Sequence, residues 1–295
     1  MTSPSTGPAR VTPAQAIGWS IAFLVLTFLT AGVVGLGLAV LLTGSTADAA
    51  AWLTALGPAS MLLQAVVTLA STAVFTWLIG IRLLRLTRHD LRYELGPRAR
   101  SGVGLGLLAG ALAAGLALLI SVAAGEARWV SEAGSMGDYL RESLKTVAVL
   151  APAALAEEVL FRGVPLVLLA AAFGRGTGVV AVAVLFALAH VTNPNATPLA
   201  LGNIALAGTF LGLAFYAPGG IWTAFGAHLG WNSLLACLDT PVSGVPFEIP
   251  RLEYSPGSPA WLTGGAFGPE GGLAATLALT TAILVTARWA QKGTQ

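Results

Sequence analysis

Glu157 and Glu158 stand side by side in an apolar run from Thr146 to Gly174, and Arg162 follows four residues after Glu158. An ionised side chain at mid-membrane depth costs about 2.5–3.5 kcal/mol on insertion scales before any pairing. Three such groups together imply partners, water and chemistry. Two further polar pairs occur in apolar runs downstream, Phe186 with His190 and His228 with Asn232. Spacing by four places each pair on one helix face. Glu158 and Arg162 can therefore form an ion pair. Glu157 is rotated by about 100° from Glu158 and points away from that arginine.

A carboxylate, two imidazoles and an amide suit the activation of water against an amide bond. A carboxylate in water, with an ordinary pKa of about 4.3, is a weak base. Desolvation strengthens it towards the range where general bases work. Imidazole and amide donors can face the oxyanion of a tetrahedral intermediate. A second chemistry stays open: Glu157, His190 and His228 as three ligands of a Zn²⁺ ion that keeps water in its fourth position. The pattern of two histidines and a glutamate on one helix is absent, so such a site would be assembled from three helices. Each feature also has a plainer reading. Glu158 and Arg162 can be a purely structural pair, and His190 a helix-end residue. His89, the third histidine, lies in a basic loop and reads as solvated. Two other functions fit intramembrane Glu and His: a proton-coupled transporter, or a non-catalytic scaffold held by an ion-pair network.

The elements that must position these groups are membrane helices. Of 295 residues, 56% are hydrophobic and 9% charged, with pI near 9.0. A soluble domain carries about 25% charged residues. The expected fold is all-α and polytopic, and the small net charge of +2 argues against a nucleic-acid partner. Cys237 is the single cysteine, which excludes an internal disulfide and a multi-cysteine metal site. At roughly 20 apolar residues per crossing, about eight spans are expected. They are Ala14–Leu42, Ala59–Ile81, Gly102–Ala124, Thr146–Phe173, Gly176–Val191, Leu199–Ala217, Ile221–Leu238 and Leu273–Ala290. The organisation is then a polar cytoplasmic N-terminus (1–13), a three-helix region (14–143), core helices carrying the chemistry (144–238), an outer loop (239–272), and a last helix with a cytoplasmic tail (273–295). No internal repeat is visible.

Charge sets the orientation. The loop 82–100 carries Arg82, Arg85, Arg88, Arg92, Arg98 and Arg100 against Asp90 and Glu94, so it should be cytoplasmic. An even number of spans puts both termini on that side, with Arg175 there as well. The outer loop 239–272 holds Phe247, Tyr254, Trp261, Leu262 and Phe267 among many Pro and Gly residues. It is too apolar for a solvated linker and reads as a cover over a cavity.

Glu157-Glu158-Val-Leu-Phe-Arg162, Phe186-Ala-Leu-Ala-His190 and His228-Leu-Gly-Trp-Asn232, in that order and in separate spans, resemble the CAAX prenyl protease and bacteriocin-processing family of intramembrane proteases, also called the Abi family. The resemblance covers Thr146 to Ser233. It implies an endopeptidase in which Glu157 is the general base, His190 helps hold the nucleophilic water, His228 and Asn232 face the oxyanion, and Glu158 pairs with Arg162. The family is usually catalogued as metalloproteases, and a metal-free glutamate mechanism has been argued for some members, so Zn²⁺ stays open. The implied partners are a lipid bilayer and a peptide or membrane-protein substrate. The composition resembles that of a bacterium of high G+C content, which favours such a substrate over a prenylated one and places the protein in the cell membrane.

Depth poses a difficulty. With straight helices at these boundaries, Glu157 lies mid-span, His190 near the outer end of its helix and His228 inside the midpoint. Kinks at Pro152 or Pro165 are expected to bring them together.

Overall fold

The computed structural model describes residues 11–292. The polar N-terminal segment expected over residues 1–13 and the tail at 293–295 fall largely outside the described residues. The order of elements is α1 (Pro13–Thr43), α2 (Thr46–Thr54), α3 (Pro58–Phe75, continued by a π-helical stretch Thr76–Leu83), α4 (Pro97–Gly125), β1 (Arg128–Ser131), α5 (Met136–Arg162), α6 (Val164–Phe173), α7 (Arg175–Ala189), α8 (Pro198–Tyr216), α9 (Ile221–Cys237), β2 (Leu252–Ser255), α10 (Ala260–Thr263) and α11 (Leu273–Lys292).

Local chemistry explains the helix starts. Thr12 and Ser135 each form a capping box, with Gln15 and Asp138 respectively, and Thr197 caps α8 just ahead of Pro198. A capping side chain takes up amide donors that the first helical turn leaves without partners, and proline at the start gives up no bond.

The protein is almost entirely helical and its long apolar helices place it in a membrane. The span count differs from the expected eight. Among the described residues, five helices are long and apolar enough to cross: Pro13–Thr43, Pro58–Leu83, Pro97–Gly125, Pro198–Tyr216 and Leu273–Gln291. The expected fourth span is two helices. α5 begins ten residues earlier, carries the charges Asp138, Arg141, Glu142 and Lys145 in its first turns, and stops at Gly163. The expected fifth span, α7, has 15 residues and reaches only about 22 Å, and the seventh, α9, has 17 residues and reaches about 26 Å. Both fall short of the ~30 Å hydrocarbon core.

The break at Gly163 corrects the depth problem. Pro152 lies inside α5 without ending it. α5 ends instead at Gly163, where a Cβ would overlap the Val159 carbonyl and the Tyr93 hydroxyl. Pro165 then sits in the first turn of α6, where its missing N–H costs nothing. Tyr93 therefore meets the end of α5, while the carbonyl of its neighbour Arg92 accepts the Ile221 N–H at the start of α9 (3.2 Å). Both helices reach the same basic loop. Glu157 lies about 9 Å above that level and His228 about 10 Å, at ~1.5 Å per residue. The Arg92 guanidinium bonds the Ala217 carbonyl (2.9 Å) and Arg175 lies over the Tyr216 ring (5.1 Å), so loop 82–100 and Arg175 share one end of the bundle.

α9 is held in place by glycine. Gly102, Gly106 and Gly110, four apart on α4, face Thr223, Ala227 and the Trp231 amide on α9, and a Cβ at Gly106 or Gly110 would run into α9 backbone. Gly226 and Gly230 return the approach against Val103 and Leu107. Small residues let helix backbones close up in a membrane, where packing drives association. Gly110→Leu is expected to push α9 outward, costing about 1–3 kcal/mol or more, because backbone cannot repack as a side chain can. Thermal unfolding in detergent checks it. Gly104→Leu is the control, since a Cβ there meets nothing within 4 Å.

At the other end, the outer loop is ordered. β1 and β2 form an antiparallel pair with Arg128 opposite Ser255, a strand pairing absent from the all-helical expectation. The Trp129 indole donates to the Leu238 carbonyl (2.6 Å), and the Asp239 carboxylate accepts the Ile249 and Tyr254 amides (2.9 and 3.1 Å). Burial pushes the Asp239 carboxyl above its ordinary range, and those two amide bonds offset part of the shift.

Candidate active site

α5, α7, α8 and α9 converge on the polar groups. Glu158 and Arg162 are fully buried, joined at 3.0 Å from Nη1 to Oε1. Arg162 Nη2 also donates to the Gly208 carbonyl of α8 (3.1 Å), and the guanidinium lies over the Phe186 ring of α7 at 4.5 Å. Arg162 thus links three helices. Phe186 is the hub of the ring contacts: edge-on to Phe161 at 5.2 Å, tilted against His190 at 4.6 Å and edge-on to His228 at 6.0 Å. The i, i+4 pair of Phe186 and His190 is a packing unit, closed by His190 Nδ1 at 2.7 Å from the Phe186 carbonyl. A carbonyl only accepts, so Nδ1 donates and Nε2 is left for other partners.

His228 joins the two glutamates. Its Nδ1 lies 2.8 Å from Glu158 Oε1, and its Nε2 3.8 Å from Glu157 Oε2. Glu158 therefore has two partners, and the second is not visible from the Glu158–Arg162 spacing. Its carboxylate accepts the Nδ1–H and so orients the ring, with Nε2 turned towards Glu157. Glu157 differs in environment. Its side chain is 34% exposed, and Oε2 has no hydrogen-bond partner among the described residues.

His190, His228 and Asn232 line one cavity of about 20 Å³, counted as space open to the centre of a water molecule, which is room for about one water. Phe186, Phe210, Trp231 and two residues of the outer loop, Ser243 and Glu270, complete the polar and aromatic part of its wall. Glu157 is not in that wall; it reaches the cavity through His228 Nε2. Ser243 and Glu270 were not legible as site residues. The one sequence signal was the apolar character of the loop that carries them. His89 is 84% exposed and paired with Glu94 at 3.0 Å, a surface contact.

A zinc site does not fit. Glu157, His190 and His228 do not converge on one point: among the described residues no group of three His, Cys, Asp or Glu side chains is placed to hold an ion. The chemistry below is carried by protein groups alone.

Fold and site define a helical membrane protein with a buried Glu–Arg–His network beside a water-sized cavity. Residues 141–234 match the family described as type II CAAX prenyl endopeptidase Rce1-like, and this segment is identified as an Rce1-like CAAX protease domain. The match supports the CAAX prenyl protease and bacteriocin-processing family of intramembrane proteases. It spans Arg141 to Leu234, and so includes both glutamates, both site histidines and Asn232, and leaves Glu270 outside. No curated protein and no solved structure matches the chain significantly.

Proposed function

We propose that the protein is an intramembrane endopeptidase that hydrolyses a peptide bond with water activated by Glu157. The observation that carries this reading is the placement of His228. One ring nitrogen is tied to Glu158, the other lies 3.8 Å from Glu157, and the ring lines a cavity shared with His190 and Asn232. Glu157, partly exposed and with no hydrogen-bond partner for its Oε2 among the described residues, takes the proton of the attacking water. His190 holds that water through its free Nε2. As the carbonyl carbon becomes tetrahedral, the Asn232 amide donates to the developing oxyanion, and so does His228 in its doubly protonated form, with Nδ1–H held by Glu158 and Nε2–H left to donate. Glu157 then returns the proton to the leaving amine. Glu158 and Arg162 do not touch substrate and keep α5, α8 and α9 in register.

The substrate on this reading is a peptide or a membrane-protein segment, met within the bilayer of the cell membrane, with loop 82–100 and both termini on the cytoplasmic side. The test compares peptides and membrane-protein termini from cells expressing wild type and Glu157→Gln. New termini that depend on Glu157 are expected, and identical termini in both would overturn the reading.

A further inference from the structure

Glu270 is a carboxylate in the wall of the catalytic cavity with no part in the mechanism above. It sits just before α11, only 4% exposed. Oε1 accepts the Trp231 indole N–H (2.9 Å), and Oε2 accepts both the amide and the hydroxyl of Ser243, the hydroxyl at 3.1 Å. Every partner is a donor, so both oxygens are committed as acceptors. The attachments spread further. The Ser243 carbonyl accepts from the Asn193 side chain (2.9 Å), three residues past His190. The Glu270 carbonyl accepts from Asn203 on α8 (2.7 Å), whose own side-chain oxygen takes the Thr276 hydroxyl of α11 (2.7 Å). Trp231 immediately precedes Asn232 on α9.

The geometry points to Glu270 as a positioning residue: it ties the outer loop down as the roof of the catalytic cavity and, through Trp231 and Ser243, sets the places of Asn232 and His190. That the cavity is catalytic rests on the endopeptidase reading; the roof itself does not. A carboxylate is required because an amide at this position would turn an NH₂ donor towards one of three donors and leave that contact repulsive. Aspartate is one methylene too short to reach the indole and the 243 turn together. Glu270 lies beyond residues 141–234, outside the matched segment.

The test reads roof closure without any substrate. In detergent-purified Cys237→Ala protein, Ala207→Cys places a reporter in the cavity wall and Ala114→Cys places one in the buried face of α4. A water-soluble maleimide is the probe. Glu270→Gln is expected to speed labelling at position 207 by about tenfold, the scale of losing one buried charge-assisted hydrogen bond, and to leave position 114 unchanged. Trp231→Phe and Ser243→Ala each give a smaller rise. Adding Trp231→Phe to Glu270→Gln gives less than the product of the two, since both remove one contact. Unchanged labelling at 207, or equal rises at 207 and 114, overturns the proposal, the second because it reports general loosening. Where Glu270→Gln does not accumulate, Trp231→Phe and Ser243→Ala decide by the same comparison. A separate arm asks whether Glu270→Gln removes the termini that Glu157→Gln removes. If wild-type cells show no such termini the endopeptidase reading fails, while labelling still decides the roof.

Discussion

Glu157→Gln is expected to lower the rate of substrate cleavage by about 10²–10⁴-fold, the usual worth of a general base, while the protein stays inserted and folded. The two halves of this result have separate causes. Glutamine keeps the shape of the side chain but cannot take a proton from water. Glu157 is 34% exposed and Oε2 makes no hydrogen bond to protein, so the fold loses little when its charge goes. Its Oε2 lies 3.8 Å from Nε2 of the His228 ring. The measurement is the appearance of product termini in membranes, paired with thermal unfolding of the purified protein. Retained cleavage would remove Glu157 from the role of base. Lost cleavage with an equally lost fold would make the carboxylate structural.

The neighbouring glutamate should behave in the opposite way. Glu158→Gln or Arg162→Met is expected to destabilise the protein by about 3–5 kcal/mol, because each leaves the other charge buried without its counter-ion. Both side chains are 0% exposed, which removes the solvent screening that makes surface pairs weak. Arg162→Met should be the more damaging, since it also strips the Gly208 carbonyl of its donor and Phe186 of its cation. Arg162→Lys should rescue poorly, as an ammonium lacks the planar fork that reaches Glu158 and Gly208 together. The double variant Glu158→Gln/Arg162→Met removes both charges and should recover part of the loss. Denaturant unfolding in detergent reads all four. Single variants as stable as wild type would mean that the pair does not hold α5 to α8.

Much of the site could be read in advance because the polar groups contrast so sharply with their surroundings. In an apolar run any ionisable residue is conspicuous, and spacing by four is enough to place two residues on one face. The Glu158–Arg162 pair is local in sequence and formed as its spacing requires. The His228–Glu158 bond is not local, and from sequence alone Glu158 had its full complement in Arg162. The span count failed for a related reason. Hydropathy runs unbroken from Thr146 to Phe173; Gly163 and Pro165 mark a kink there, but that α5 ends fully at Gly163, against the Tyr93 hydroxyl of a distant loop, is not written in the segment itself. Length and hydropathy describe a segment in isolation, whereas α7 and α9 are shorter than a crossing and are flanked by other helices of the bundle.

Residue type and order alone determined that the chain is a helical membrane protein and set its intramembrane ionisable and amide groups in three short motifs. Those properties follow from the transfer cost of side chains and the period of the helix, which act on each segment separately. Tertiary structure decided which glutamate His228 binds, how deep Glu157 lies, and that Glu270 of the outer loop closes the cavity. Each of these depends on contacts between segments far apart in the chain: glycine faces on α4 and α9 that let backbones touch, one break in α5, and one loop folded back over the helix ends. The energies involved are those of close packing and directed hydrogen bonds, and these take their values only when the partners are in place.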